Sequence, residues 1–283
     1  MRSAVTHVTA IICLSAFSGF FGGSLTIAAQ PEAVTFSVGD AFVHADLVRP
    51  PGSGPFPAVV WNHGGVNPRP GVVNYPVSAE LGELFASNGY VLLLPHRRGY
   101  GRSPRYELAE QFRAEKRMDE RNRIQIELMD AYMNDIGVAI EYLRRLPFVD
   151  SSQIVVAGCS FGGSLSLFAA ERNWPIRAVV NFAGAAVSWK QSAELRERML
   201  GAARGARVPV LLVQAENDHD LDPTHAVARQ LTQSKKPHKV ALFPPHGSNA
   251  REGHNFCETG GKVWEREVVS FLNATARQSP LVK

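Results

Sequence analysis

What is scarce in this sequence narrows it first. Its 283 residues include three cysteines, Cys13, Cys159 and Cys257, with no C-x-x-C pair. That excludes a disulfide-rich scaffold and a thiolate metal site. No segment repeats, none is of low complexity and no long run of like charge occurs, which argues against solenoids and disordered tails. The net charge is only +4. Without a basic stripe interleaved with aromatics, nucleic acid is not an expected partner. The length suits one large α/β domain and hardly two.

The N-terminus reads as a targeting segment. Arg2 supplies a short positive start, Val8 to Ile27 is apolar and uncharged, and Ile27-Ala28-Ala29 offers small residues before Gln30 and Pro31. This is a signal peptide pattern over residues 1–29, and it sends the mature domain, 30–283, to the periplasm or outside the cell. An uncleaved membrane anchor is the rival, because the stretch nearly spans a bilayer; otherwise no membrane partner is expected. Ile12 is too bulky for Cys13 to be a lipid-attachment site. Cys159 and Cys257 then remain. An oxidising compartment would allow one bridge, but Cys159 falls in a tight turn, so the pair is read as free buried thiols.

From Val34 onward, short β-like runs alternate with longer helical ones. Val34–Val38 and Phe42–Val48 form an opening antiparallel pair. Ala58–Trp61, Tyr90–Leu94, Ile154–Ala157, Ala178–Phe182, Val210–Val213 and Lys239–Phe243 follow as buried strands. Between them come helices at Val77–Asn88, Phe161–Glu171, Ser192–Ala203, His225–Thr232 and Val263–Leu272. Ile124, Leu128, Tyr132, Ile136, Ile140 and Leu143 mark a long amphipathic one, closed by Pro147. The pattern predicts a doubly wound, mostly parallel sheet of about eight strands flanked by helices, with its site at the strands' carboxyl ends.

Gly158-Cys159-Ser160-Phe161-Gly162-Gly163 lies between a strand and a helix. A G-x-S-x-G there is a nucleophile elbow, a turn so sharp that glycine must flank the serine. The bland alternative is a glycine turn with an incidental serine. A serine needs a base, itself oriented by an acid, and behind such an elbow the chain order is Ser, Asp/Glu, His. Asp218 follows the strand at Val210–Val213, and His254 lies in the loop before the last helix. Glu216, Asp220 and Asp222 compete with Asp218, and His246 with His254; Asp222 reads better as a helix cap. His219 and His225 beside these acids suggest a metal, but no H-x-x-x-H pair supports one. Oxyanion donors are expected from the N–H of Phe161 and, in His63-Gly64-Gly65, of Gly65, with Val66 second.

Several motifs are similar to α/β-hydrolases of the dienelactone hydrolase type. They are Gly54–Val60 leading into His63-Gly64, Arg98-Gly99-Tyr100-Gly101-Arg102-Ser103, the elbow, and Gly253-His254-Asn255-Phe256. The resemblance spans almost all of the mature chain and implies the α/β-hydrolase fold and cofactor-free hydrolysis of esters, lactones or peptide bonds. Dienelactone hydrolases proper carry a cysteine nucleophile; here the central position is Ser160, which favours a serine esterase. Ser-x-Gly-Gly also resembles prolyl-oligopeptidase-like peptidases.

The expected activity is therefore ester or lactone hydrolysis of a small or medium molecule through an acyl-enzyme. An exported peptidase and a catalytically silent binding protein are the alternatives. Arg97, Arg98 and Arg102 are expected to hold their loop by hydrogen bonds. The charged stretch Arg105–Arg123 reads as a solvated helical face rather than a flap for anionic substrates. The short segment Ala183–Arg207 implies an open pocket.

Overall fold

The computed structural model describes residues 31–65 and 79–276. The targeting segment and Val66 therefore lie outside the described residues. The chain runs β1 (Glu32–Val38), β2 (Ala41–Val48), β3 (Phe56–Asn62), α1 (Ala79–Ser87), β4 (Val91–Pro95), α2 (Glu107–Ala114), α3 (Met118–Arg144), β5 (Val149–Cys159) and α4 (Phe161–Glu171). It continues through β6 (Ala178–Phe182), α5 (Ala193–Gly205), β7 (Val210–Ala215), α6 (Asp222–Gln233) and β8 (His238–Phe243). Then come α7 (Ala250–His254), α8 (Phe256–Thr259) and α9 (Gly261–Ala276).

One eight-stranded sheet has the order β1-β2-β4-β3-β5-β6-β7-β8. β1 and β2 pair antiparallel, β2 meets β4 antiparallel, and every later pairing is parallel. The alternation of strand side chains feeds two layers. Val60 and Val156 pack with α3, α4, α5 and α6 on one face. Val59, Trp61 and Val155 pack with α1 and α9 on the other, around Phe85, Phe182 and Trp264. The chain moves outward from β3 to β4, then returns past β3 to β5. The sheet's winding reverses there, and such a reversal opens a crevice at the carboxyl ends of the strands.

The long helix buries Ile124, Leu128, Tyr132, Ile136, Ile140 and Leu143, the residues its periodicity singles out. Gly89, at φ +80°, ends the turn after α1 in a conformation other residues resist. Three expectations need correcting. His254 ends a short helix rather than lying in a loop, because Asn249 caps it by accepting from the Glu252 N–H at 3.0 Å. Asp222 is the first residue of α6, not its cap; the Asp220 carboxylate accepts the Asp222 N–H instead, at 3.0 Å. Cys159 and Cys257 are joined in a disulfide with their Cα atoms 5.9 Å apart. The sharp turn that argued for a free thiol in fact aims Cys159 away from α4 and into the layer holding α8.

Candidate active site

β5 ends at Cys159, α4 starts at Phe161, and Ser160 alone makes the turn, at φ 54° and ψ −114°. That backbone region is strained for a residue with a Cβ, by about 1–3 kcal/mol. Its surroundings enforce it. A side chain at Gly162 would collide with the Asn62 carbonyl, and one at Gly158 with the Gly162 carbonyl, so only glycine lets the turn close. The Ser160 N–H donates to the Phe182 carbonyl at 2.8 Å, locking the turn to β6.

The other two members of the expected triad follow β7 and β8, Asp218 in the loop after β7 and His254 at the end of α7. His254 Nε2 is 2.8 Å from Ser160 Oγ, and His254 Nδ1 is 2.8 Å from Asp218 Oδ1. A carboxylate only accepts, so Nδ1 carries a proton; in the neutral ring Nε2 is then free to accept from the serine hydroxyl. The Asp218 side chain is fully buried while that of His254 keeps 14 % exposure. His254 thus faces the solvent side and Asp218 is shielded behind it. The acid is also fixed independently of the histidine. Oδ1 accepts the His219 N–H at 2.6 Å, and Oδ2 accepts from Gln214 Nε2 at 2.8 Å. Thr224 Oγ1 in turn donates to Gln214 Oε1 at 2.6 Å.

The competitors go elsewhere. Glu216 and Asp222 are exposed, Asp220 holds the start of α6, and His246 Nε2 meets Thr259 Oγ1 at 2.8 Å. Among the described residues, the acids and histidines of this loop form no ligand cluster. Only Cys159, Cys257 and Glu258 come within 4.8 Å of one another, and the two sulfurs are bonded.

Two positions carry weight that sequence reasoning missed. Gln214 is the clamp on Asp218. Asn217 donates from Nδ2 to the His246 and Asn249 carbonyls at 3.0 and 3.1 Å, and its Oδ1 accepts the His246 N–H at 2.8 Å. It splints the histidine's segment to the acid's loop. Both are amides in the segment Gln214–Asp218 that leads to the candidate acid, and that placement was the available signal.

The backbone expected to supply the Gly65 donor is built on a buried cation. Arg97 is 1 % exposed, and it donates to the His63 carbonyl at 2.7 Å and the Gly64 carbonyl at 2.9 Å. The Tyr100, Tyr132 and Phe161 rings surround its guanidinium at 5.1 to 5.4 Å. Because a trans peptide points its C=O and N–H in opposite directions, holding the Gly64 carbonyl turns the Gly65 N–H away from Arg97. A side chain at Gly65 would reach the Phe161 Cβ at 3.7 Å, so this backbone passes close to the elbow. The Phe161 N–H belongs to the first turn of α4, where amides lack helical acceptors. The His63 ring is held neutral, its pKa pushed well below the usual value by burial and by the charge of Arg97. Arg98 and Arg102 also hold the loop, through Asp135 and Asp46.

A family model described as dienelactone hydrolase family matches residues 43–275. The chain belongs to the dienelactone hydrolase family. Solved structures agree on the fold. The acylaminoacyl peptidase of Pyrococcus horikoshii is 18 % identical with a TM-score of 0.64, covering 90 % of this chain and 43 % of that one. An acetyl xylan esterase from Paenibacillus sp. R4 is 20 % identical at 0.63, covering 89 % and 86 %. A puromycin-hydrolyzing peptidase from Mycobacterium tuberculosis is 21 % identical at 0.65, covering 90 % and 41 %. The chain thus spans less than half the length of the two peptidases, and at these identities the likeness establishes the α/β-hydrolase fold alone. No curated protein matches.

In this dienelactone hydrolase family member, Ser160, His254 and Gly65 border a cavity of about 540 Å³. Residues of α2 and of the start of α3 form one wall of the pocket. This wall corrects the reading of Arg105–Arg123 as merely solvated. Arg105, Arg117 and Arg123 do face water, with side chains 88, 71 and 63 % exposed. Arg113 and Arg121 instead line the cavity, over the Tyr100 and Phe112 rings at 5.5 and 4.4 Å. Neither makes an ion pair among the described residues. The Ser164 hydroxyl, one turn along α4 from Ser160, lines the same cavity and is buried without a hydrogen-bond partner among the described residues.

Proposed function

We propose that this protein is a serine hydrolase that cleaves carboxylic esters or lactones of small to medium size through an acyl-enzyme. The observation that carries this is the unbroken Ser160–His254–Asp218 relay at the border of the cavity. His254 takes the Ser160 proton as Oγ attacks the carbonyl, and Asp218 fixes the tautomer and stabilises the imidazolium. The Phe161 and Gly65 N–H groups meet the oxyanion, helped by the N-terminal end of α4. His254 then protonates the leaving oxygen, and a water activated by the same imidazole releases the acid.

A fluorophosphonate probe should label the purified protein at Ser160, and p-nitrophenyl esters should be turned over far faster than aminoacyl p-nitroanilides. Preference for the anilides would favour the peptidase alternative. A folded protein that neither labels nor turns over either class would be a binding protein on this fold.

The Arg113 and Arg121 guanidiniums on the cavity wall, whose hydrogen bonds go to the neutral Gly99 and Glu115 carbonyls at 3.5 and 3.3 Å, favour a substrate bearing a carboxylate. Hydrogen bonds to charged groups are worth about 1.5–3 kcal/mol. Changing Arg113 and Arg121 together to glutamine should therefore lower kcat/KM for the p-nitrophenyl monoester of glutaric acid about 10- to 100-fold. The neutral p-nitrophenyl butyrate should stay within about twofold. Equal losses on both esters would make the arginines structural.

A further inference from the structure

We infer that the Cys159–Cys257 disulfide is a positioning element of the catalytic centre, so that the oxidised chain alone holds nucleophile and base in register. The inference rests on the serine-hydrolase reading above. The bond joins residues 98 positions apart in sequence, yet its two ends sit at the two reacting groups. Cys159 is the last residue of β5 and precedes Ser160; Cys257 lies in α8, three residues beyond His254.

The histidine's carrier needs such a tie. It hangs from β8, the last strand of the sheet, whose residues are all at least partly exposed. It then passes through two helices of five and four residues, too short to be stable on their own. Asn217 fastens this segment to the acid's loop, and the disulfide fastens it to the nucleophile's turn. With β5, β6 and β7 adjacent in the sheet, the three catalytic groups form a closed triangle whose histidine–serine side is covalent. Both sulfurs are buried, Cys159 at 4 % and Cys257 at 2 % exposure, so a reductant reaches them through local opening of the histidine's segment.

A dithiol completes the exchange without another reactant. One thiolate attacks a protein sulfur, forms a mixed disulfide and releases the other cysteine as thiolate. Its second thiol then displaces the remaining cysteine. The protein gains two electrons and two protons, and the reductant leaves as its own disulfide.

The test compares oxidised chain, chain reduced with dithiothreitol until two thiols titrate, and the Cys257→Ala variant. A chelator is present throughout because Glu258 adjoins the two sulfurs. In the reduced chain and in Cys257→Ala, kcat for p-nitrophenyl butyrate should fall about tenfold or more, since small misplacements of a catalytic group cost this much. KM should change less than about twofold. Reoxidation should restore the rate of the reduced wild type, and dithiothreitol should not alter that of Cys257→Ala.

Amide exchange over residues 244–260 should quicken on reduction while that of β5 and β6 stays slow, a readout independent of any activity. Unchanged kcat and unchanged exchange in a chain shown to carry two free thiols would overturn the inference. So would finding both thiols free in the native protein. If the oxidised chain were inert to esters and to the serine probe, the hydrolase reading would fail, and the exchange arm would still decide whether the bridge positions His254.

Discussion

Ser160→Ala will fold, and its hydrolysis of p-nitrophenyl esters will fall by about 10⁴- to 10⁶-fold. The loss is large because the nucleophile has no understudy. Its neighbour Cys159 is bonded to Cys257, and Ser164, the nearest hydroxyl along α4, is buried without a base. Stability should barely change, since among the described residues Oγ hydrogen-bonds only His254. Ser160→Gly should be as inactive and about 1 kcal/mol more stable, because glycine accepts φ 54° without strain. Steady-state rates with thermal melts of both variants check this. A Ser160→Ala protein retaining more than about a hundredth of wild-type kcat would remove Ser160 from the mechanism.

Asp218→Asn should lower kcat by about 10⁴-fold, whereas Asp222→Asn should stay within about twofold. An asparagine can present an NH₂ to Nδ1, which would then have to accept and leave the proton on Nε2, the wrong nitrogen for a base. The Gln214 amide and the His219 N–H would also lose their charged acceptor, so a stability loss of about 1–3 kcal/mol is expected beside the catalytic one. Asp222 is exposed at the start of α6 and, among the described residues, makes no hydrogen bond or ion pair to His254 or Ser160. Measuring kcat for both variants on one ester decides between them; a loss confined to Asp222→Asn would move the acid to that residue.

How far the sequence could be read depended on how local each cause is. The elbow was legible because a single turn imposes its glycines, and the long helix because its apolar positions repeat on one face. Asp218 could be preferred to its neighbours but not singled out. Gln214 and Thr224, which hold it, act through side-chain directions that spacing does not encode. The disulfide was misjudged because its 98-residue separation carries no local signal. The cavity wall was missed for a related reason. Arg113 and Arg121 lie on α2 and α3 and pack over Tyr100 and Phe112, whereas Arg105 and Arg117 stand just before those helices and face water, a difference that the run of charges does not encode.

The placement of His254 just beyond the last strand has a consequence for how the molecule wears out. Free energies of local opening run from near zero at frayed margins to the full global value in a core. β3 and β5 sit in the middle of the sheet with their apolar side chains shielded on both faces. β8 has a neighbour on one side only and leaves Val240 37 % exposed. Heating should therefore loosen β8 and the chain leading to His254 before it melts the frame around Ser160, leaving the Cys159–Cys257 bond as the tie that delays the separation. The useful life of this catalyst is set at the rim of the sheet, while its centre governs only how long a folded but idle protein persists.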